Sequence, residues 1–257
     1  MLKYFTSFCL ALTSFTALSQ EEELAKPKAK DSVEYKQEYG LRVGADLSRP
    51  ALSFLMDGYT GFELVGDYRI TENLYLAAEL GNEEKNQDES VAFGVLYDYT
   101  TSGSYIKLGI DNNTYDNWFG MNNQITIGGR YAFSTFSQTL NNFSYFDSNR
   151  VFAPDGFVLG SNEPIEFNNL NASWLEFVLG VKAELFANIY VGITARISHL
   201  VSSKEPENFR NLWIPGFNRV TDGSKWGVGF NYSLSYFIPL YKKAKKKKVK
   251  ETNTKSN

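Results

Sequence analysis

The chain has 257 residues, 43% hydrophobic and 16% aromatic, with a net charge of −3 and one cysteine. That length suits one large domain, and the apolar content excludes a chain that is disordered throughout. With +1 in residues 1–19 and +7 in residues 242–257, the total leaves −11 on residues 20–241, which excludes a nucleic-acid footprint on the folded part.

The chain opens like a secretory signal over 1–19. Lys3 supplies the positive end, YFTSFCLALTSFTAL the apolar stretch, and Ala17-Leu18-Ser19 the small-residue cleavage site. Cys9 lies inside that segment and is poorly placed for lipidation, so the mature chain is expected to lack thiol and disulfide chemistry. Residues 20–38 read as a polar periplasmic linker. No run of 18 or more apolar residues follows position 20, so a membrane crossing has to be made by strands.

Eight segments then alternate apolar and polar side chains, near 39–48, 61–70, 74–82, 102–112, 122–135, 172–186, 189–200 and 225–238. In the seventh, Ile189, Val191, Ile193, Ala195 and Ile197 oppose Tyr190, Gly192, Thr194, Arg196 and Ser198. Most of these segments reach the roughly 9–11 residues that a tilted strand needs to cross a bilayer. Three joins are compact, TEN, NNTYDNWFG and FANIY, and they alternate with long ones over 49–60, 83–101, 136–171 and 201–224. That asymmetry predicts an all-β, eight-stranded antiparallel up-and-down transmembrane barrel over 39–241, with short periplasmic turns and long outer loops. Residues 91–99 fit either an extension of the fourth strand or a hairpin within the loop. No segment reads as a convincing helix.

Alternation is equally compatible with a soluble lipocalin-like barrel that holds an apolar ligand. The polar face decides, because Gly40, Gly44, Gly109, Gly192 and Gly229 lie on it. Small residues suit the crowded interior of an eight-stranded barrel and only weaken a solvent-facing surface. Tyr39, Tyr68, Tyr131, Phe133, Trp226 and Tyr236 sit near segment ends of the apolar face, where aromatic girdles lie. The inward face also carries Arg42, Arg69, Lys107, Arg130, Lys182 and Arg196 against Asp46, Glu63, Asp67, Glu79, Asp111, Glu176 and Glu184. Unpaired buried ions cost several kcal/mol each, so the near-balance predicts a paired network that fills the lumen as a structural plug rather than a pore.

Catalytic and metal-binding patterns are weak. A lipid-modifying hydrolase would need His199, the single histidine, beside a serine and an orienting carboxylate, yet Ser198 points to the other face and Ser202 lies in a loop. DNNTYDN at 111–117 lacks the glycine and terminal glutamate of a calcium loop, and no cofactor is implied. The loops carry more information. In 201–224, Trp213, Ile214 and Phe217 flank Pro215-Gly216, either as a lid packed on the barrel, the preferred reading, or as a recognition surface for a protein or glycan partner. Loops as long as 136–171 are usually functional or disordered. The lysine-rich tail at 242–257 reads as disordered, with a weak contact to peptidoglycan or anionic headgroups as the alternative to plain solvation.

LRVGADLSRP, GFELVGDYRITENLYLAAELGNEEK, TSGSYIKLGID, RYAFSTFSQTL, NLWIPGFNRV and GVGFNYSLSYFIPLYKK together resemble a family of outer-membrane barrels known only as a domain of unknown function. The resemblance spans most of 39–243. It implies secretion and a barrel in a Gram-negative, Bacteroidetes-type envelope, and it brings no activity, ligand or catalytic residue. The expected role is non-enzymatic: envelope structure, adhesion or partner binding through the outer loops.

Overall fold

In the computed structural model the described residues are 36–91, 94–115, 122–146, 157–161, 163–206, 209–220 and 224–244. The segment expected to be a signal, most of the expected linker and most of the lysine-rich tail lie outside them. The elements in chain order are β1 (Lys36–Asp46), α1 (Ser48–Leu55), β2 (Tyr59–Arg69), β3 (Leu74–Val91), β4 (Gly94–Asn113), β5 (Gln124–Phe146), β6 (Phe157–Ser161), β7 (Ile165–Phe186), β8 (Ile189–Ser203), β9 (Trp213–Ile214), β10 (Asn218–Arg219) and β11 (Trp226–Ala244). Strands β4, β3, β2, β1, β11, β8, β7 and β5 pair antiparallel in that order, and β4 pairs with β5 to close the ring. The result is an eight-stranded antiparallel barrel in which each stave pairs with the next along the chain and the first, β1, pairs with the last, β11, while β6, β9 and β10 decorate the long connections.

Pairing explains the closure. Each stave places its apolar residues outside and its small or polar ones inside, so a one-residue slip would turn a whole face over. Ile193, Trp226 and Phe230 are 56%, 63% and 66% exposed on the outer wall. Arg42, Glu63, Lys107 and Arg196 are buried inside it. The β7–β8 turn is a two-residue hairpin in which Ala187 and Asn188 both adopt positive φ, 46° and 68°, the twist-matched geometry for such a link.

Several boundaries differ from expectation. The 83–101 and 136–171 stretches are largely strand rather than loop: β3 and β4 pair as far as Val91 and Gly94, and β5 pairs with β4 as far as Phe143. Residues 94–99 therefore extend the fourth stave. At about 3.3 Å per residue, the 23 residues of β5 amount to roughly 75 Å of strand. Long projecting hairpins are hidden from a hydrophobic-period search because segments such as NEEKNQDESV are polar on both faces. At the opposite end, Lys36, Gln37 and Glu38 pair with Ala244, Lys243 and Lys242, so the barrel runs over 36–244 and the first lysines of the tail belong to a stave. Tyr39 is not a girdle residue. It is buried where the β1–β11 register shifts, stacked 5.3 Å from Tyr241 and 4.9 Å below the Arg69 guanidinium.

The helix α1 is also absent from the sequence reading. Strand β1 stops at Asp46, opposite Ser233, so Trp226–Tyr232 of β11 and Tyr59–Glu63 of β2 have no β1 partner. α1 stands at this break. The Leu47 N–H donates to the Tyr232 carbonyl at 2.6 Å. Asp46 accepts from the Ser48 backbone N–H at 2.9 Å and from its hydroxyl, and Pro50 falls in the first turn, where its missing N–H costs nothing.

Candidate functional site

The lumen is filled by side chains from every stave and from α1. Near the turn end, Arg42 donates to Asp67 at 3.1 Å and to Gln124 at 3.0 Å and lies 4.4 Å from the centre of the Tyr190 ring. Lys182 pairs with the same Asp67 at 2.5 Å. In the middle, Arg130 clamps Asp111 through two nitrogens at 2.8 Å each, the two-pronged geometry that makes such pairs strong. Arg196 bridges Glu79 at 2.8 Å and Glu176 at 3.0 Å, and the Trp174 indole N–H donates to Glu176 at 2.8 Å. Lys107 is wholly buried among three carboxylates, 3.3 Å from Glu176, 3.6 Å from Glu79 and 3.8 Å from Glu63.

Toward the loop end the carboxylates take neutral donors as well. Glu63 accepts from the Tyr105 hydroxyl at 2.5 Å and from Asn231 at 3.0 Å, and Asn231 also reaches Asp46 at 2.6 Å. Arg49 projects from the first turn of α1 and pairs with Glu83 at 2.9 Å, with longer contacts to Asp46 and Glu63. The helix is thereby tied to the plug by a buried charge.

Eleven of the thirteen ions expected in the lumen take part in this network. The other two sit at the turn-end mouth and act differently. Arg69 donates to the carbonyls of Glu38, Thr71 and Glu72, and Glu184 accepts from the Tyr190 hydroxyl and the Asn188 N–H. Both lie where the stave ends offer unpaired carbonyls and N–H groups, which compete with ionic partners. Glu83, Tyr105 and Trp174 also belong to the network, and each continues the inward parity of a stave that the sequence marks. Arg49 carried no such signal, because it lies in a stretch without strand period.

Over the loop end folds a cap. β9 and β10 form a small hairpin that turns at Gly216, whose φ is +83°. A Cβ there would lie 2.6 Å from the Tyr105 ring, and one on Gly81 would lie 2.2 Å from it, so Tyr105 is clasped between two glycines. Ile214 and Phe217 are buried with Phe136, Leu170, Trp174 and Leu200, and Phe217 meets Trp174 edge-on at 5.6 Å. Trp213 is half-buried, 6.2 Å from Tyr59. The Gly216 N–H donates to Glu83 at 3.2 Å, joining cap to plug. Within the barrel a cavity of about 40 Å³ lies in the middle and one of about 10 Å³ at the turn-end mouth.

His199 lies on the outer wall, its ring 4.5 Å from Trp226 and its Nδ1 without a hydrogen-bond partner. Ser198 is inside, 3.5 Å from Glu176, so the barrel wall separates the two. Among the described residues no three His, Cys, Asp or Glu side chains group as metal ligands. Asp111 is committed to Arg130, and Asp116 and Asn117 fall outside the described set.

Fold and interior together define a closed β-barrel with an apolar outer wall, an ion-filled lumen and a packed cap. The chain belongs to the family described as a domain of unknown function (DUF6048), which matches residues 1–243. No curated protein matches it. Among solved structures, the crystal structure of Acinetobacter baumannii CarO2 is similar at 13% identity and a TM-score of 0.38, with 79% of this chain and 100% of that chain covered.

Proposed function

We propose that the protein is an outer-membrane barrel with a non-enzymatic role, anchoring a projecting wall of strands that meets a protein or glycan partner outside the cell. The outer wall carries the reading. Apolar side chains such as Leu80, Ile110, Phe177, Leu179 and Ile193, drawn from four different staves, are each about half exposed. A continuous apolar surface of this kind is avoided by soluble monomers and is what acyl chains cover. A lipocalin-like alternative would require an apolar interior, whereas this one holds paired ions. With β1 beginning and β11 ending at the turn end, both would face the periplasm, where Lys242 and Lys243 meet anionic material such as peptidoglycan.

The projecting parts of β3, β4, β5 and β7 extend beyond the loop ends of β2 and β8. They present polar hydrogen-bonding side chains, Asn86 and Asn141 bonding Thr100 and Asp98 among them. The reading is tested by cell fractionation with gel mobility of unboiled against boiled samples. Recovery in the detergent-extracted outer membrane with heat-modifiable mobility is expected, and recovery in the soluble fraction overturns the reading. A chain in which 87–99 of the β3–β4 hairpin is replaced by Asn-Gly, flanked by the paired Asn86 and Thr100, is expected to keep that mobility while losing surface adhesion. Unchanged adhesion removes this hairpin from the role.

A further inference from the structure

The middle of the lumen has donors to spare. The cavity of about 40 Å³ is lined by Arg42, Arg130, Lys182 and Arg196 against Asp67, Glu79 and Asp111, with Thr194, Ser233 and Ser235 adding hydroxyls. The three carboxylates are already engaged: Asp67 by Arg42 and Lys182, Asp111 by both prongs of Arg130, and Glu79 by Arg196 and Arg130. The Nε–H groups of Arg42, Arg130 and Arg196 are all buried without a hydrogen-bond partner. Arg130 Nε stands 3.5 Å from Glu79 but lacks hydrogen-bond geometry. Three such arginines around one small cavity are unexpected, since native interiors leave few buried donors unpaired.

We propose that this cavity binds a single small monovalent anion, chloride or another halide. The lining holds four cations and three carboxylates, and Glu176 pairs with Arg196 from outside it, so the anion rests on the unused Nε–H donors rather than on a surplus of charge. A halide accepts from several N–H and O–H groups at once and brings no protons of its own. Water could also accept from the arginines and donate to the hydroxyl and carboxylate oxygens of the lining, so it is the competitor that the test below separates from a halide. At about 40 Å³ the cavity exceeds the roughly 10–15 Å³ that a single water requires and admits one halide. Gluconate, a six-carbon chain, is too large. The bound ion locks the plug, so that the barrel is strengthened by chloride itself rather than by salt in general. This inference concerns the interior alone and holds whether or not the outer wall meets lipid.

The test uses full-length protein folded in detergent, with sodium chloride, bromide or gluconate at one ionic strength. The temperature at which mobility becomes that of the unfolded chain is expected to rise saturably with chloride and bromide, by ligand linkage, and not with gluconate. Thr194→Val removes a hydroxyl from the lining while keeping every charge, and is expected to weaken the halide dependence. Lys182→Met is expected to weaken it at least about tenfold, the factor that about 1.4 kcal/mol represents. Crystals grown with bromide are expected to show an anomalous peak inside the cavity. Equal midpoints in chloride and gluconate, or a cavity holding only water, overturn the proposal.

Discussion

Lys107→Met offers the sharpest probe of the plug, because it removes one charge while nearly preserving the side chain's volume. The ammonium is wholly buried and lies 3.3, 3.6 and 3.8 Å from Glu176, Glu79 and Glu63. At an effective dielectric of about 20, each contact represents roughly 4–5 kcal/mol of gross attraction, most of it offset by the hydration the ions lost on burial. Removing the cation forfeits the attraction, while the carboxylates stay dehydrated. Glu79 and Glu176 retain Arg196, but Glu63 keeps only the hydroxyl of Tyr105, the amide of Asn231 and a 3.9 Å contact with Arg49. The expected loss is about 3–5 kcal/mol, as for other buried pairs broken on one side. It would be read as a lower urea midpoint for the shift between folded and unfolded gel mobility. Lys107→Met combined with Glu63→Gln restores the charge balance and should recover more than half of that loss. A single variant within about 1 kcal/mol of the wild type, or a double variant weaker than the single one, would refute the view that the lumen is held by balanced charge.

Two further substitutions probe the wall and the cap. Ile193→Arg places a charge on the outer face of β8, where a membrane barrel folded in lipid vesicles should lose about 2–4 kcal/mol near the bilayer midplane; a loss below about 0.5 kcal/mol, usual for an exposed site on a soluble protein, would argue against lipid contact. Gly216→Ala combines a positive φ with a Cβ only 2.6 Å from the Tyr105 ring. Strain of about 1–3 kcal/mol is expected there, seen as faster proteolysis within 209–220 while the barrel keeps its folded mobility, and a cap as resistant as the wild type would show that the ring yields.

The period of two along each stave, the compact turns and the inward glycines were sufficient to specify eight strands, their antiparallel order and which face looks inward, because these depend on local spacing and on the volume available inside a narrow barrel. The inward ions were legible for the same reason: Arg42, Lys107 and Arg196 each share parity with neighbouring small residues. Partner choice was not legible. That Asp67 serves both Arg42 and Lys182, which are 140 residues apart in the chain, follows from shear around the ring, and no single segment contains it. Arg49 reaches the lumen because β1 stops early and α1 fills the break. Gly216 meets Tyr105 only because the cap folds back over the opening. Face and fold are properties of neighbours along the chain, whereas the plug's pairings, the cap and the cavity with its three unpaired arginine donors arise from closure, when side chains from separate staves must share one dehydrated space.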